Sequence, residues 1–299
     1  MKVWYPYVFL GLLLFGLNSC SSNSSKSGNE DVLVGSLKVV ADETILPLIQ
    51  EQKEVFESSY TNAKVLESGK PEIQAINTLL KGEADVAILT RALNADEKKS
   101  FEQRQITPRI FAFAYDGIVL VSNKNDIDTG VVVSDIIELL KGNKVKPYTL
   151  VFDNVNSSIL RYFRDLGNIE KVANTFVEAK TNAEEVLKTV ASSTGKIGFL
   201  SLNQYLTFES SFQEMDKIRI LSVLNEKLAT PKYVKPSQAS LSTDEYPLKR
   251  EIFVLNYQPN LGLGIGFSAF LTGDRGQRIV LKAGMLPVTM PGREIIIRN

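Results

Sequence analysis

Histidine is absent from all 299 residues, cysteine occurs once, and no apolar run is long enough to cross a bilayer as a helix. Each absence excludes something. Without histidine the chain cannot assemble a Ser-His-Asp or Cys-His nucleophile system, nor a histidine-ligated zinc site. Carboxylate and lysine chemistry stay open, but no recognisable nucleophile motif accompanies them, so an enzyme, a metal centre and a bound cofactor are not expected. One cysteine cannot form a disulfide within the chain. Nor is there an excess of either charge: 34 Lys and Arg balance 34 Asp and Glu. That balance argues against nucleic acid or an anionic membrane surface as the main partner, and any anion site must come from local geometry.

What is present begins with Lys2 and an apolar core over Val8 to Gly16, which fits the h-region of a signal peptide over residues 1–19. Leu17-Asn18-Ser19-Cys20 follows and resembles the lipobox of bacterial lipoproteins, where cleavage precedes a cysteine that takes acyl chains such as palmitate. Cys20 is therefore expected to anchor the chain to a membrane facing the periplasm. The Ser/Asn/Gly-rich stretch after it has almost nothing to bury, so residues 20–35 read as the lipidated cysteine and a flexible tether.

From Leu37 onward, short apolar runs alternate with capped amphipathic segments. Strands are expected at 37–41, 64–68 and 84–90. Helices are expected at 44–58, 71–81 and after Asn94, whose spacing to Glu97 forms a capping box. RIFAFAYDGIVLVSN (109–123) is a much longer extended run, of the kind that crosses between two lobes. The pattern then resumes. A helix capped by Ser134 and stopped at Gly142 precedes a strand at 148–152. Ser157 caps a helix stopped at Gly167, and Asn182 caps another that ends near Gly195. Further strands are expected at 196–202, 217–223 and 250–256, with a long polar stretch between the last two. Helices at 267–271 and 274–282 close the chain, and the Gly-rich run 262–266 reads as a turn or packing element. Such alternation implies an α/β fold of mixed, mostly parallel sheets flanked by helices. The two sets imply two lobes, 36–114 plus 253–299 and 115–252, joined by a hinge of two crossing strands.

In such sheets ligands sit beyond the carboxyl ends of strands, against helix N-termini whose free N–H groups can hold an oxyanion. Candidate junctions are 41–44, 67–70, 84–85 and 153–158. Thr44, Ser68, Ser157 and Ser158 offer hydroxyls there, each of which could equally be a simple helix cap. Asp85 could accept a hydrogen bond from a protonated oxyanion, which separates hydrogen phosphate from sulfate. Lys70, Arg91 and Arg161 are candidate charge partners.

Taken in order, ADETILPLI, INTLLKGEADVAILTRAL, FAFAYDGIVLVSN, TGKIGFLSL, YPLKREIFV and FLTGDRGQRIVLKAGMLPV resemble the phosphate-binding proteins of ABC uptake transporters. These have the type II periplasmic-binding-protein fold. The resemblance covers about Leu37 to Pro287. It implies a monomeric receptor that holds phosphate or a related oxyanion between its lobes and delivers it to a membrane permease. A ligand sensor or envelope assembly protein on the same fold is the other reading. Matched by position, the family's ligand residues fall on Thr44, Ser68, Asp85 and Ser157. Two departures fall in the second lobe: Asp153 stands where the family has arginine, and Ser157-Ser158-Ile159 replaces Ser-Gly-Thr. An aspartate in place of a bidentate cation requires another cation if the ligand is an anion.

Overall fold

The computed structural model describes residues 31–292. The signal segment, Cys20 and most of the tether lie outside the described residues. Thirteen strands and ten α-helices follow in order. The first set comprises β1 (Gly35–Asp42), α1 (Leu46–Ser59), β2 (Ala63–Lys70), α2 (Glu72–Leu80), β3 (Val86–Leu89) and α3 (Ala95–Gln103). A 15-residue strand, β4 (Arg109–Asn123), leads to the second set. This contains β5 (Gly130–Val131), α4 (Val133–Leu140), β6 (Thr149–Phe152), α5 (Ser158–Leu166), β7 (Val177–Ala179), α6 (Ala183–Ser192) and β8 (Lys196–Ser201). It continues through α7 (Leu202–Glu209), β9 (Ile218–Ile220), β10 (Ser222–Asn225), β11 (Lys232–Val234) and α8 (Gln238–Ser242). Then β12 (Lys249–Asn256), α9 (Leu263–Thr272), α10 (Asp274–Lys282) and β13 (Leu286–Pro287) return to the first set.

One ten-stranded sheet runs β2-β1-β3-β12-β4-β8-β6-β7, with β9 and β13 also on β4. The pairs β1–β2, β1–β3, β6–β7 and β6–β8 are parallel. Every antiparallel pair in this sheet involves β4 or β12. β4 pairs with β12 over Arg109–Gly117 and with β8 over Ile118–Val121. Its partner thus changes between Gly117 and Ile118.

The strands read as near-continuous apolar runs because helices cover both faces. In lobe I, Val39 and Ala41 face a core shared with α1, α9 and α10, including Ile49, Phe56 and Phe267. Val40 points the other way, toward Ala75, Ile76 and Leu79 of α2 and Phe101 of α3. The second half of β4 packs with β6, β8 and α4 to α7 in a separate core, where Phe152 and Phe199 stack 4.3 Å apart. Two cores meeting at two shared strands make the molecule two-lobed.

Several expectations need correction. α4 starts at Val133 with no side-chain cap, so Ser134 sits inside its first turn rather than capping it. The run 217–223 is two strands, because the chain leaves β4 at Ile220 and pairs with β5 from Ser222. The polar stretch before Pro247 contains β11 and α8, and the unexpected α7 is signalled by a capping box between Ser201 and Gln204. The Gly-rich run begins α9, with Gly262 as its N-cap. Its packing role is real: a Cβ on Gly266 would come within 1.8 Å of the Val32 carbonyl oxygen.

Candidate functional site

Asp42 ends β1, and its Oδ1 accepts from the Thr44 N–H at 2.8 Å and from Thr44 Oγ1 at 2.7 Å. This short cap turns the chain through a single 3-10 turn into α1, where Pro47 is tolerated because first-turn N–H groups have no intrahelical partner. In lobe II, β6 ends at Phe152. Asn154 then closes a turn by accepting from Asn156 N–H at 2.8 Å, which brings Ser157 to the N-cap of α5. Ser157 Oγ accepts from Ile159 N–H at 3.2 Å, and Ser158 begins the helix, fully buried. The two junctions meet. Thr44 Oγ1 and Ser158 Oγ, one from each lobe, are 3.4 Å apart.

The cation that joins them is Arg250 on β12, only 4% exposed. Its Nη2 donates to Thr44 Oγ1 at 2.8 Å and its Nη1 to Ser158 Oγ at 2.9 Å. Its Nε donates to Asp116 Oδ2 at 2.9 Å. Asp116 lies directly opposite Arg250 in the β4–β12 register, and its Oδ1 accepts from Leu202 N–H at 3.0 Å. Burial pushes the Asp116 carboxyl up, against the pull of Arg250. Lobe II also reaches lobe I through Ser201 Oγ, which donates to the Thr44 carbonyl at 2.6 Å. Asn203 Oδ1 accepts from Leu48 N–H at 3.0 Å.

Asp153 lies beside this same group, 1% exposed. Burial raises its pKa to about 6, opposed by a hydrogen bond from the Ser157 side chain and by Arg250, while the charge of Asp42 adds to the shift. Glu43 is raised to about 7, first by burial and then by the charges of Asp153 and Asp42.

Arg91 and Arg161 meet at a second point between the lobes. Glu72, 1% exposed, accepts at Oε1 from Arg91 Nε at 3.1 Å and forms an ion pair with Arg161, whose Nε lies 2.6 Å from the same oxygen. Arg161 Nη2 also donates to Thr90 Oγ1 at 3.2 Å, across the lobes. An opening of about 310 Å³ lies beside them, lined by Glu72, Arg91, Asn156, Ser157 and Arg161 among others.

Of the expected site residues, Thr44 and Ser158 converge on Arg250, and Ser157 caps α5 next to Ser158. Asp85 does not join them. It precedes β3, where its carboxylate accepts from Lys38 N–H at 3.1 Å, so it sits about 13 Å from the carboxyl end of that strand. Ser68 is exposed on the edge strand β2, and Lys70 Nζ donates to Thr78 Oγ1 at 2.8 Å. Arg91 and Arg161 are committed to carboxylates, so none of the three expected charge partners contacts Thr44 or Ser158. Arg250 and Asp116 are the residues sequence reasoning missed. The signal was there: Arg250 alternates with Ile252 and Val254 on one face of β12, and Asp116 interrupts the apolar β4. Opposite charges inside two apolar strands imply a buried pair.

The fold has known relatives. The chain is 22% identical over 298 residues to a phosphate-binding protein PstS of Staphylococcus epidermidis, covering 93% of this chain and 87% of that one. Its fold is similar to that of an ABC-type phosphate transport receptor from Vibrio cholerae, with a TM-score of 0.64 at 18% identity, covering 85% of this chain and all of the other. A Clostridium perfringens protein described as a phosphate ABC transporter substrate-binding protein, solved with phosphate bound, gives a TM-score of 0.67 at 16% identity. That match covers 85% of this chain and all of the other. A family model for the PBP superfamily domain matches residues 27–275, and this two-lobed chain belongs to that superfamily.

Proposed function

We propose that the protein is an extracytoplasmic phosphate receptor that feeds an ABC-transporter permease. The observation that carries this reading is Arg250, a buried guanidinium whose two terminal nitrogens reach a hydroxyl on each lobe. A planar fork aimed at paired hydroxyls beside the N-terminus of α5 has the chemistry to hold a tetrahedral oxyanion without a basic surface. Thr44, Ser157, Ser158 and Arg250 hold the ligand. The lobes are residues 36–114 with 253–299, and residues 115–252. No bond is made or broken, so the protein is a binding protein rather than an enzyme. It works as a monomer, anchored to the periplasmic face of a membrane through acylated Cys20, with the residues after it giving reach. The names of its relatives support transport over sensing.

Calorimetry of the full-length protein in detergent tests the receptor reading. Inorganic phosphate binds at micromolar concentration or tighter, and Thr44→Val and Ser158→Ala each weaken it at least tenfold. A protein that takes up no phosphate overturns the reading. Replacing Cys20 by Ser should release the protein from membranes with its thermal unfolding unchanged. Unaltered membrane retention of that variant refutes the anchor.

A further inference from the structure

The opening beside Glu72 adjoins the Arg250 site. Ser157 lines it, and the next residue is Ser158, whose hydroxyl accepts from Arg250. Consecutive residues are about 3.8 Å apart along the chain, so a group held at Ser158 lies a few bonds from this space. The lobes already touch here, through Arg161 and Thr90, and the space still measures about 310 Å³. That is the size at which small-molecule pockets begin.

Its walls are of two kinds. Ile73 from α2 and Val155 from the turn before α5 are apolar, and are 48% and 68% exposed. Inorganic phosphate has no apolar part to set against them. Two polar groups on the same opening have donors to spare. The Asn156 side-chain amide makes no hydrogen bond among the described residues; its backbone N–H alone is used, by Asn154. Arg164 donates only to the backbone carbonyls of Ile169 and Glu170, at 3.5 and 3.3 Å, and has no carboxylate partner among the described residues. Arg91 and Arg161 differ, because Glu72, Glu97 and Asp165 already answer them. A guanidinium without a carboxylate suits an anionic group, and an amide adds a donor.

We propose that the receptor takes phosphate monoesters of small hydroxy acids. The phosphoryl group occupies the Arg250 site between Thr44 and Ser158. The carbon chain passes Ser157 and lies along Ile73 and Val155, and the carboxylate ends on Arg164 and Asn156. This rests on the phosphate-receptor reading and widens its ligand to an organic class. The opening between the lobes is then the place of the ester's organic part, and Arg164 selects for a second acidic group.

The test is calorimetric titration of the full-length protein in detergent with inorganic phosphate, 3-phosphoglycerate and glycerol 3-phosphate. The two esters differ only in a carboxylate against a hydroxymethyl group. 3-Phosphoglycerate should bind about threefold or more tighter than glycerol 3-phosphate, the scale of one partly exposed ion pair. Saturating inorganic phosphate should abolish its heat, since both need the Arg250 site. Arg164→Gln should erase the preference between the esters and leave inorganic phosphate within about twofold of wild type. Binding of inorganic phosphate with exclusion of both esters overturns the proposal and leaves the receptor reading intact. So does a smaller preference between the esters, a preference that survives in Arg164→Gln, or 3-phosphoglycerate heat that persists under saturating phosphate. Binding of none of the three overturns both readings. Uptake of 3-phosphoglycerate without inorganic phosphate overturns the inorganic-phosphate reading and upholds the ester one. Should Arg164→Gln not fold, the wild-type comparison of the two esters still decides.

Discussion

Arg250→Gln separates what holds the fold from what holds the ligand. Asp116 is fully buried and meets Arg250 at 2.8 Å, so removing the cation leaves a carboxylate with only the backbone N–H groups of Leu202 and Gly117 for company. Breaking a buried pair from one side costs about 3–5 kcal/mol, because an unpaired charge is worse than none. The nearby Asp42 and Asp153 add repulsion, which places the expected loss at the upper end. Without Arg250 the Asp116 carboxyl, already raised by burial, rises further. A carboxyl whose folded pKa is raised contributes stability that is present below its unfolded value and lost as pH rises through the folded one. The variant should therefore sit close to wild type near pH 4 and fall furthest behind above pH 7. Adding Asp116→Asn removes the stranded charge, and the double variant should regain about 2 kcal/mol or more of the loss at pH 8. Phosphate affinity should not return with it. Urea unfolding of the four proteins at pH 5 and pH 8, without phosphate, measures all of this. A single-variant loss below about 1 kcal/mol at pH 8, or a double variant no more stable than the sum of the singles predicts, refutes the buried-pair argument.

Three other perturbations have definite expectations. Asp153→Asn should stabilise the phosphate-free protein at pH 8 by up to about 3 kcal/mol, since a pKa raised from 3.8 to about 6 makes the ionised form costly in the fold. That gain should vanish toward pH 4, as urea unfolding across the range will show. Gly198→Ala places a Cβ 2.7 Å from Val186 and 2.9 Å from Val190, so overpacking should cost about 1–3 kcal/mol and lower the melting temperature. Glu72→Gln leaves Arg91 and Arg161 facing each other without their shared carboxylate, which should cost about 3 kcal/mol in urea unfolding and speed phosphate release in stopped flow.

Fold class and strand positions were legible because the signal is local. The long strand at 109–123 matches β4 at both ends, because the apolar runs on either side of Asp116-Gly117 outweigh that turn signal. The capping box of Asn94 with Glu97 and the stop at Gly167 also appear as expected, because caps act within one helical turn. What spacing could not supply is which end of a strand a residue occupies in three dimensions. Asp85 and Thr90 flank the short strand β3 at opposite ends, and position in the motif alone does not say which end faces the other lobe. Arg250 was hidden for a different reason. Its partners Thr44, Asp116 and Ser158 are far from it in sequence, and only the β4–β12 register brings Asp116 opposite. The tertiary override at Ser134 is smaller. An extended Val132 starts the helix early and leaves the serine without a cap to make.

Arg250 and Asp116 face each other one residue before β4 exchanges β12 for β8 as its partner. The guanidinium therefore stands at the seam, and its two arms end on hydroxyls at different helix starts, Thr44 before α1 and Ser158 in α5. Any displacement that separates those two helix starts must lengthen at least one of these two hydrogen bonds.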